Sequence, residues 1–184
     1  MNRVFLTKLH LVLAAFMFPA VLMFLLTGAL YTWGNKGEWH EEVVQVSAPM
    51  ENPDEAALRE IALAQLAQRG LPEPSGAASV SGEGSDLAFA WTGARTDIKV
   101  AATDDPSVAE VTINQASLHR WLVQLHKAKG SVFFKIYATF LAISLFILVL
   151  SGLIMGLQVP ALRRLTWLSS GAGLAAFIGF VLLG

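Results

Sequence analysis

Residues 11–35 read LVLAAFMFPAVLMFLLTGALYTWGN, without one ionic side chain. A helix crossing a hydrocarbon core of roughly 30 Å needs about 20 such residues, so this stretch is long enough to span a bilayer. Two more stretches of the same kind lie at 136–162 and 165–184. Between the first and second sits a polar insert, about 36–135, and every Asp and Glu of the chain lies within it, from Glu38 to Glu110. The expected fold is therefore an α-helical integral membrane protein with three transmembrane helices and one small α+β soluble domain between helices 1 and 2.

The first stretch also has features of a cleaved signal peptide, since Arg3 and Lys8 form a basic start. Its apolar run exceeds the usual length of about 7–15 residues, and no A-x-A-like site closes it. Tyr31 and Trp33 stand where it ends, as interfacial anchors do. A retained helix is the reading adopted. Arg3, Lys8 and an Arg163–Arg164 pair expected in a tight turn flank the spans on one side. Basic residues near a first helix set orientation more than long loops do, which places the amino terminus inside and the soluble domain outside.

The bulk numbers exclude several classes. The 184 residues include no cysteine, which removes disulfides, thiolate zinc sites and iron–sulfur clusters. The net charge of −1 and the lack of a dense basic cluster argue against nucleic-acid binding.

Within the insert, 41–47 reads as a strand. Asn52 as N-cap, Pro53 at the first helical position, and Asp54 and Glu55 in the first turn announce a helix. Ala57, Leu58, Ile61, Ala64 and Leu66 give it an apolar face, and Gly70 and Pro72 stop it. Alternation then predicts strands at 78–82, 86–92 (Leu87, Phe89, Trp91), 97–102 (Ile98, Val100, Ala102) and 108–113 (Val111, Ile113), with Gly- and Asp-bearing turns between them. One helix on an antiparallel meander buries both apolar faces. From 116 the period is helical again, with Leu118, Trp121, Leu122 and Leu125 on one face and Arg120, Gln124 and Lys127 on another. This predicts an amphipathic interfacial helix over 116–135. The resulting segments are 1–35, 36–115, 116–135, 136–162 and 163–184.

Certain short strings recur. Leu9-His10 precedes the first span, which closes on Thr27-Gly28-Ala29-Leu30-Tyr31; Leu118-His119-Arg120-Trp121-Leu122 and Leu125-His126 precede the second, which carries Ser151-Gly152-Leu153. With the helix at Glu55-Ala56 and the strands after it, this order resembles the PepSY-associated transmembrane family over nearly the whole chain. The resemblance implies a bacterial inner-membrane protein, multi-pass, with a periplasmic PepSY domain. Longer members of that family include haem-containing reductases that release iron from siderophores, and PepSY domains elsewhere accompany peptidases and bind or inhibit them. This chain looks like a short, three-span member.

Four histidines are the conventional haem or metal ligands: His10, His40, His119 and His126. His10 is expected at one end of the first span and the others at the opposite end, about 30 Å away, so His10 cannot share an iron with them. His119 and His126 are seven residues apart, two turns along one helix face, about 10 Å. His40, His119 and His126 are therefore the candidate haem b ligands, with interfacial anchoring beside Trp39 and Trp121 as the structural alternative. In the spans, Gly152 and Gly156 form a G-x-x-x-G, and Gly171, Ala175 and Gly179 a second small-residue ridge, suited to packing helices within the chain or against a partner or second copy. No G-x-S-x-G, H-E-x-x-H or P-loop string occurs.

Two functions follow. One is an accessory or interaction protein whose PepSY domain contacts other membrane subunits or a periplasmic protein. The alternative is a haem-containing electron-transfer or ferric (siderophore) reductase component, which would make the chain an enzyme.

Overall fold

The computed structural model describes residues 2–50, 53–82 and 86–184. Its elements, in chain order, are α1 (Arg3–Thr32), β1 (Trp39–Ser47), α2 (Glu55–Gln68), β2 (Ala78–Ser81), β3 (Ala88–Trp91), β4 (Thr96–Ala102), β5 (Val108–Ala116), α3 (Leu118–His126), α4 (Val132–Gln158) and α5 (Pro160–Leu183). Helices α1, α4 and α5 are each long and apolar enough to cross a membrane. The chain clusters into two units, Leu22–Ala138 and a second made of Met1–Val21 with Thr139–Gly184.

The Leu22–Ala138 unit holds one antiparallel sheet in the order β1-β5-β4-β3-β2. Alternation places Phe89, Trp91, Ile98, Val100, Ala109, Val111 and Ile113 on one face, and all are buried. Helix α2 covers that face with Leu58, Ala62 and Leu66, each at most 1 % exposed. Burying each large side chain contributes about 1.5–3 kcal/mol, the term that lets so small a domain hold together.

Two details of α2 differ from the sequence reading. Its N-cap is Asp54, whose carboxylate accepts from the Ala57 N–H at 2.7 Å; Asn52 lies outside the described residues. The buried stripe runs through Leu58, Ala62, Gln65 and Leu66, while Ala57 and Ala64 are exposed. Leu58 and Leu66 set the helix's rotation because they bury most apolar area, and the small alanines follow wherever that leaves them.

The pairing of β1 with β5, Trp39 opposite Ala116 and Ser47 opposite Val108, brings the exit of α1 beside the entry of α3. Ser117 N–H donates to Glu38 O at 3.0 Å and Arg120 Nη1 to Lys36 O at 3.3 Å. Gly37 has φ +70°, and a side chain there would run into the Arg120 backbone, so only glycine permits the approach.

Helix α3 is shorter than the expected 116–135, and its faces differ. Gln124, expected on the polar face, is 1 % exposed, and Leu118, expected on the apolar one, is 69 % exposed. Ser117 caps the helix start, its Oγ accepting from Arg120 N–H at 3.2 Å. That cap and the Gly37 contact anchor the start of α3, and Trp121, Leu122 and Leu125 of the expected apolar face are half-buried beside the buried Val123.

In the other unit, Leu6, Met17 and Ala20 of α1 and Leu141, Ser144 and Ser151 of α4 are buried, whereas α5 has no buried residue. Arg163 and Arg164 do not form the turn, as the sequence suggested; they lie in the first two turns of α5. Pro160 fixes the helix start at Val159–Pro160, since its missing N–H costs nothing there.

Candidate functional site

Two of the four histidines sit in closely similar surroundings, one in each unit. In the Leu22–Ala138 unit, His126 ends α3 and its Nδ1 lies 2.9 Å from the Thr27 hydroxyl of α1. Thr27 Oγ1 in turn donates to Met23 O at 2.6 Å. Phe24 packs on the imidazole with centroids 4.7 Å apart. Gly28 supplies the space: a Cβ there would stand 3.2 Å from His126 Cε1. In the other unit, His10 Nδ1 lies 2.9 Å from the Ser151 hydroxyl of α4, and Ser151 Oγ donates to Leu148 O at 3.0 Å. Gly152 lies beneath that ring as Gly28 does beneath His126, at 3.7 Å from Cβ position to Cε1.

The proton count assigns the tautomer. A hydroxyl has one proton, and in both cases it goes to the helix's own carbonyl. With the hydroxyl proton on the carbonyl, the ring donates through Nδ1, and in the neutral imidazole Nε2 then carries the lone pair. Neither Nε2 takes a hydrogen bond from any described residue. A histidine that ligates a metal through Nε2 while donating Nδ1–H to a neighbour has this arrangement.

The other two histidines differ. His119, in the first turn of α3, has its Nε2 buried without a partner. His40 lies exposed on β1, opposite Gln115. Among the described residues no three His, Cys, Asp or Glu side chains gather into a metal-holding group, so His40, His119 and His126 are not a preformed cluster of that kind.

The small-residue positions also separate. Gly152 faces His10 and Gly156 faces Thr166 of α5, with Oγ1 2.5 Å from the Cβ position. A Cβ at Gly171 or Gly179 would meet nothing within 4 Å, and Ala175 is exposed, so that ridge has no neighbour among the described residues. Sequence reasoning missed Thr27 and Ser151 as partners of the histidines. The signal was present but diluted: Leu-His occurs three times and Ser/Thr-Gly six times, and only Thr27-Gly28 and Ser151-Gly152 meet a histidine.

A chain with three apolar helices and an antiparallel sheet-and-helix domain between the first and second is a membrane protein of the PepSY-transmembrane kind. The family model for the PepSY-associated TM region matches residues 2–178, and the chain belongs to that family. No curated protein and no solved structure matches it.

Proposed function

We propose that the chain is a haem-carrying electron-transfer component of a bacterial inner membrane, with its PepSY domain in the periplasm. The observation that carries this reading is the histidine–hydroxyl pairing at both His10 and His126, which holds each imidazole with Nε2 free to ligate. His10 and His126 would each offer Nε2 to a haem iron, and His119, with its buried, partnerless Nε2, is the third donor of the right kind. Haem, when bound, supplies one-electron redox chemistry. The chain's part is to fix ring orientation and to keep the neutral ring's proton on Nδ1, which leaves Nε2 as the ligating atom. Reduction of a ferric substrate is the reaction class that suits such a component.

The test is the absorption spectrum of detergent-purified protein expressed with haem supplied. A Soret band that weakens in both His10→Ala and His126→Ala supports the reading. A colourless preparation sinks it.

A second reading, an accessory protein working through its PepSY domain, draws on a different observation. Strand β1 is a nine-residue edge that, among the described residues, pairs with β5 alone. Beside its end runs a groove of about 380 Å³ between Val46–Pro49 and the Ala57, Ile61 and Ala64 side of α2. Open edges accept an added strand, and a neighbouring groove selects its side chains. A photocrosslinker at Val43, 51 % exposed on that edge, should join a defined partner in intact cells, while one at Lys99 on the central strand β4 should not. Equal labelling from both positions would count against it.

A further inference from the structure

A pocket of about 250 Å³ opens between the end of α1 and the end of α3, lined among others by Thr27, Tyr31, Thr32, His126 and Lys127. We propose that it seats the phosphodiester headgroup of an anionic phospholipid. The pocket shares His126 with the proposed haem site, but the lipid would be held by the lysines at its mouth.

Charge points to an anion. The Lys127 ammonium lies 5.8 Å from the Tyr31 ring centroid and the Lys36 ammonium 5.4 Å from the same centroid. Two like charges are thus gathered around one ring, and neither has a carboxylate partner; the ion pair found among the described residues is Arg69 with Glu42, elsewhere. No Asp or Glu follows Glu110 in the chain, so nothing acidic in α3 or the segment after it offsets them. The Thr27 and Thr32 hydroxyls donate to Met23 O and Gly28 O, so the charge that would hold an anion comes from the ammonium groups.

Position points to lipid. Thr32 is the last residue of a thirty-residue apolar helix, so the pocket mouth lies where the apolar span gives way to polar chain, at headgroup depth. Lysines at that depth hold anionic lipid by about a factor of five each. The volume suits a phosphate with its ester arms and is below that of ordinary cofactor pockets.

The experiment uses the full chain, delipidated in neutral detergent. Phosphatidylglycerol, phosphatidylcholine and inorganic phosphate are added separately, with thermal unfolding and native mass spectrometry as readouts. Phosphatidylglycerol should raise the unfolding temperature and be retained as a bound adduct; phosphatidylcholine and phosphate should do neither. Lys36→Gln with Lys127→Gln should weaken phosphatidylglycerol binding about 30-fold. Lys127→Arg should retain it, and Lys99→Gln, an equal loss of charge on β4, should leave it unchanged. Equal response to both lipids, an equal response to inorganic phosphate, or a double variant that binds like the parent each overturns the proposal. So does a double variant that loses affinity for ferric haem but not for the lipid, since the lysines would then serve porphyrin carboxylates.

Discussion

His126 and Thr27, ninety-nine positions apart, share a 2.9 Å hydrogen bond that joins α3 to α1. The bond links two elements and also sets a tautomer. A helix–helix tie needs only a donor and an acceptor. The prior commitment of the threonine proton to Met23 O makes the imidazole the donor and, in the neutral ring, leaves its far nitrogen basic.

Thr27→Val should therefore do two separable things. Loss of an interhelical hydrogen bond in a membrane protein costs on average about 0.6 kcal/mol, so the unfolding temperature in detergent should fall only slightly. The ¹⁵N spectrum of histidine-labelled, haem-free protein should change much more, as His126 loses its Nδ1–H preference. Thr27→Ser should restore the parent spectrum. An unaltered tautomer signature in the valine variant would show that the hydroxyl does not choose the protonated nitrogen.

Glycines 156 and 171 should respond differently to the same substitution. Gly156→Ala places a methyl against Thr166, whose hydroxyl is held by Leu162 O at 2.9 Å and cannot retreat without breaking that bond. Overpacking of this kind costs about 1–3 kcal/mol, and thermal unfolding should show it. Gly171→Ala meets empty space and should leave the isolated chain as stable as before. A stability loss at Gly171 in detergent, together with a change in oligomeric state by light scattering, would mean that a second copy packs on that ridge.

The spans and the sheet were legible because their signals are long and redundant. An uncharged run of twenty-odd residues has few other meanings, and Phe89, Trp91, Ile98, Val100, Val111 and Ile113 alternate without exception. Helix rotation was less legible. Ala57 and Ala64 carry too little apolar area to compete with Leu58 and Leu66, and the start of α3 is anchored by its Ser117 cap and the Gly37 contact. Of the histidines, His40, His119 and His126 were singled out together, whereas His10 was set apart on the argument that it lies at the other end of α1. That argument bears on sharing one iron. It says nothing of whether His10 has a hydroxyl and a glycine of its own, which only packing against Ser151-Gly152 reveals.

The ion pair found among the described residues of the soluble domain gives a pH dependence of definite sign. Arg69 Nη2 and Nε reach Glu42 at 2.7 and 3.1 Å, and these hydrogen bonds hold the Glu42 carboxyl below its ordinary value of 4.5. A carboxyl depressed on folding contributes stability above its unfolded value and loses it as pH falls through the folded one. The pair is exposed, so the contribution is small. The thermal-stability difference between parent and Glu42→Gln should be constant from pH 7 to about 5 and close below pH 4.5. A gap that widens on acidification would reverse the sign and exclude this pair as its source.

Ala128 should be the simplest site at which to stabilise the chain. It follows the α3 cap with φ +59°, in the left-handed region that costs an L-residue about 1–2 kcal/mol. The chain accepts that cost because the turn closes α3: Ala128 N–H donates to Leu125 O at 2.9 Å and Lys129 N–H to Gln124 O at 3.0 Å, satisfying carbonyls that the last helical turn leaves open. Ser75 Oγ then donates to Lys129 O at 2.8 Å, pinning the turn to the soluble domain. Glycine takes this conformation without the Cβ conflict but adds about 0.5–1 kcal/mol of freedom to the unfolded chain. The net gain of Ala128→Gly should be a few tenths to about 1 kcal/mol, read as a higher unfolding temperature with an unchanged histidine spectrum. Ala128→Val should lower it by more, because β-branching is least tolerated at positive φ. A glycine variant less stable than the parent would show that the residue does not hold this conformation in the folded protein.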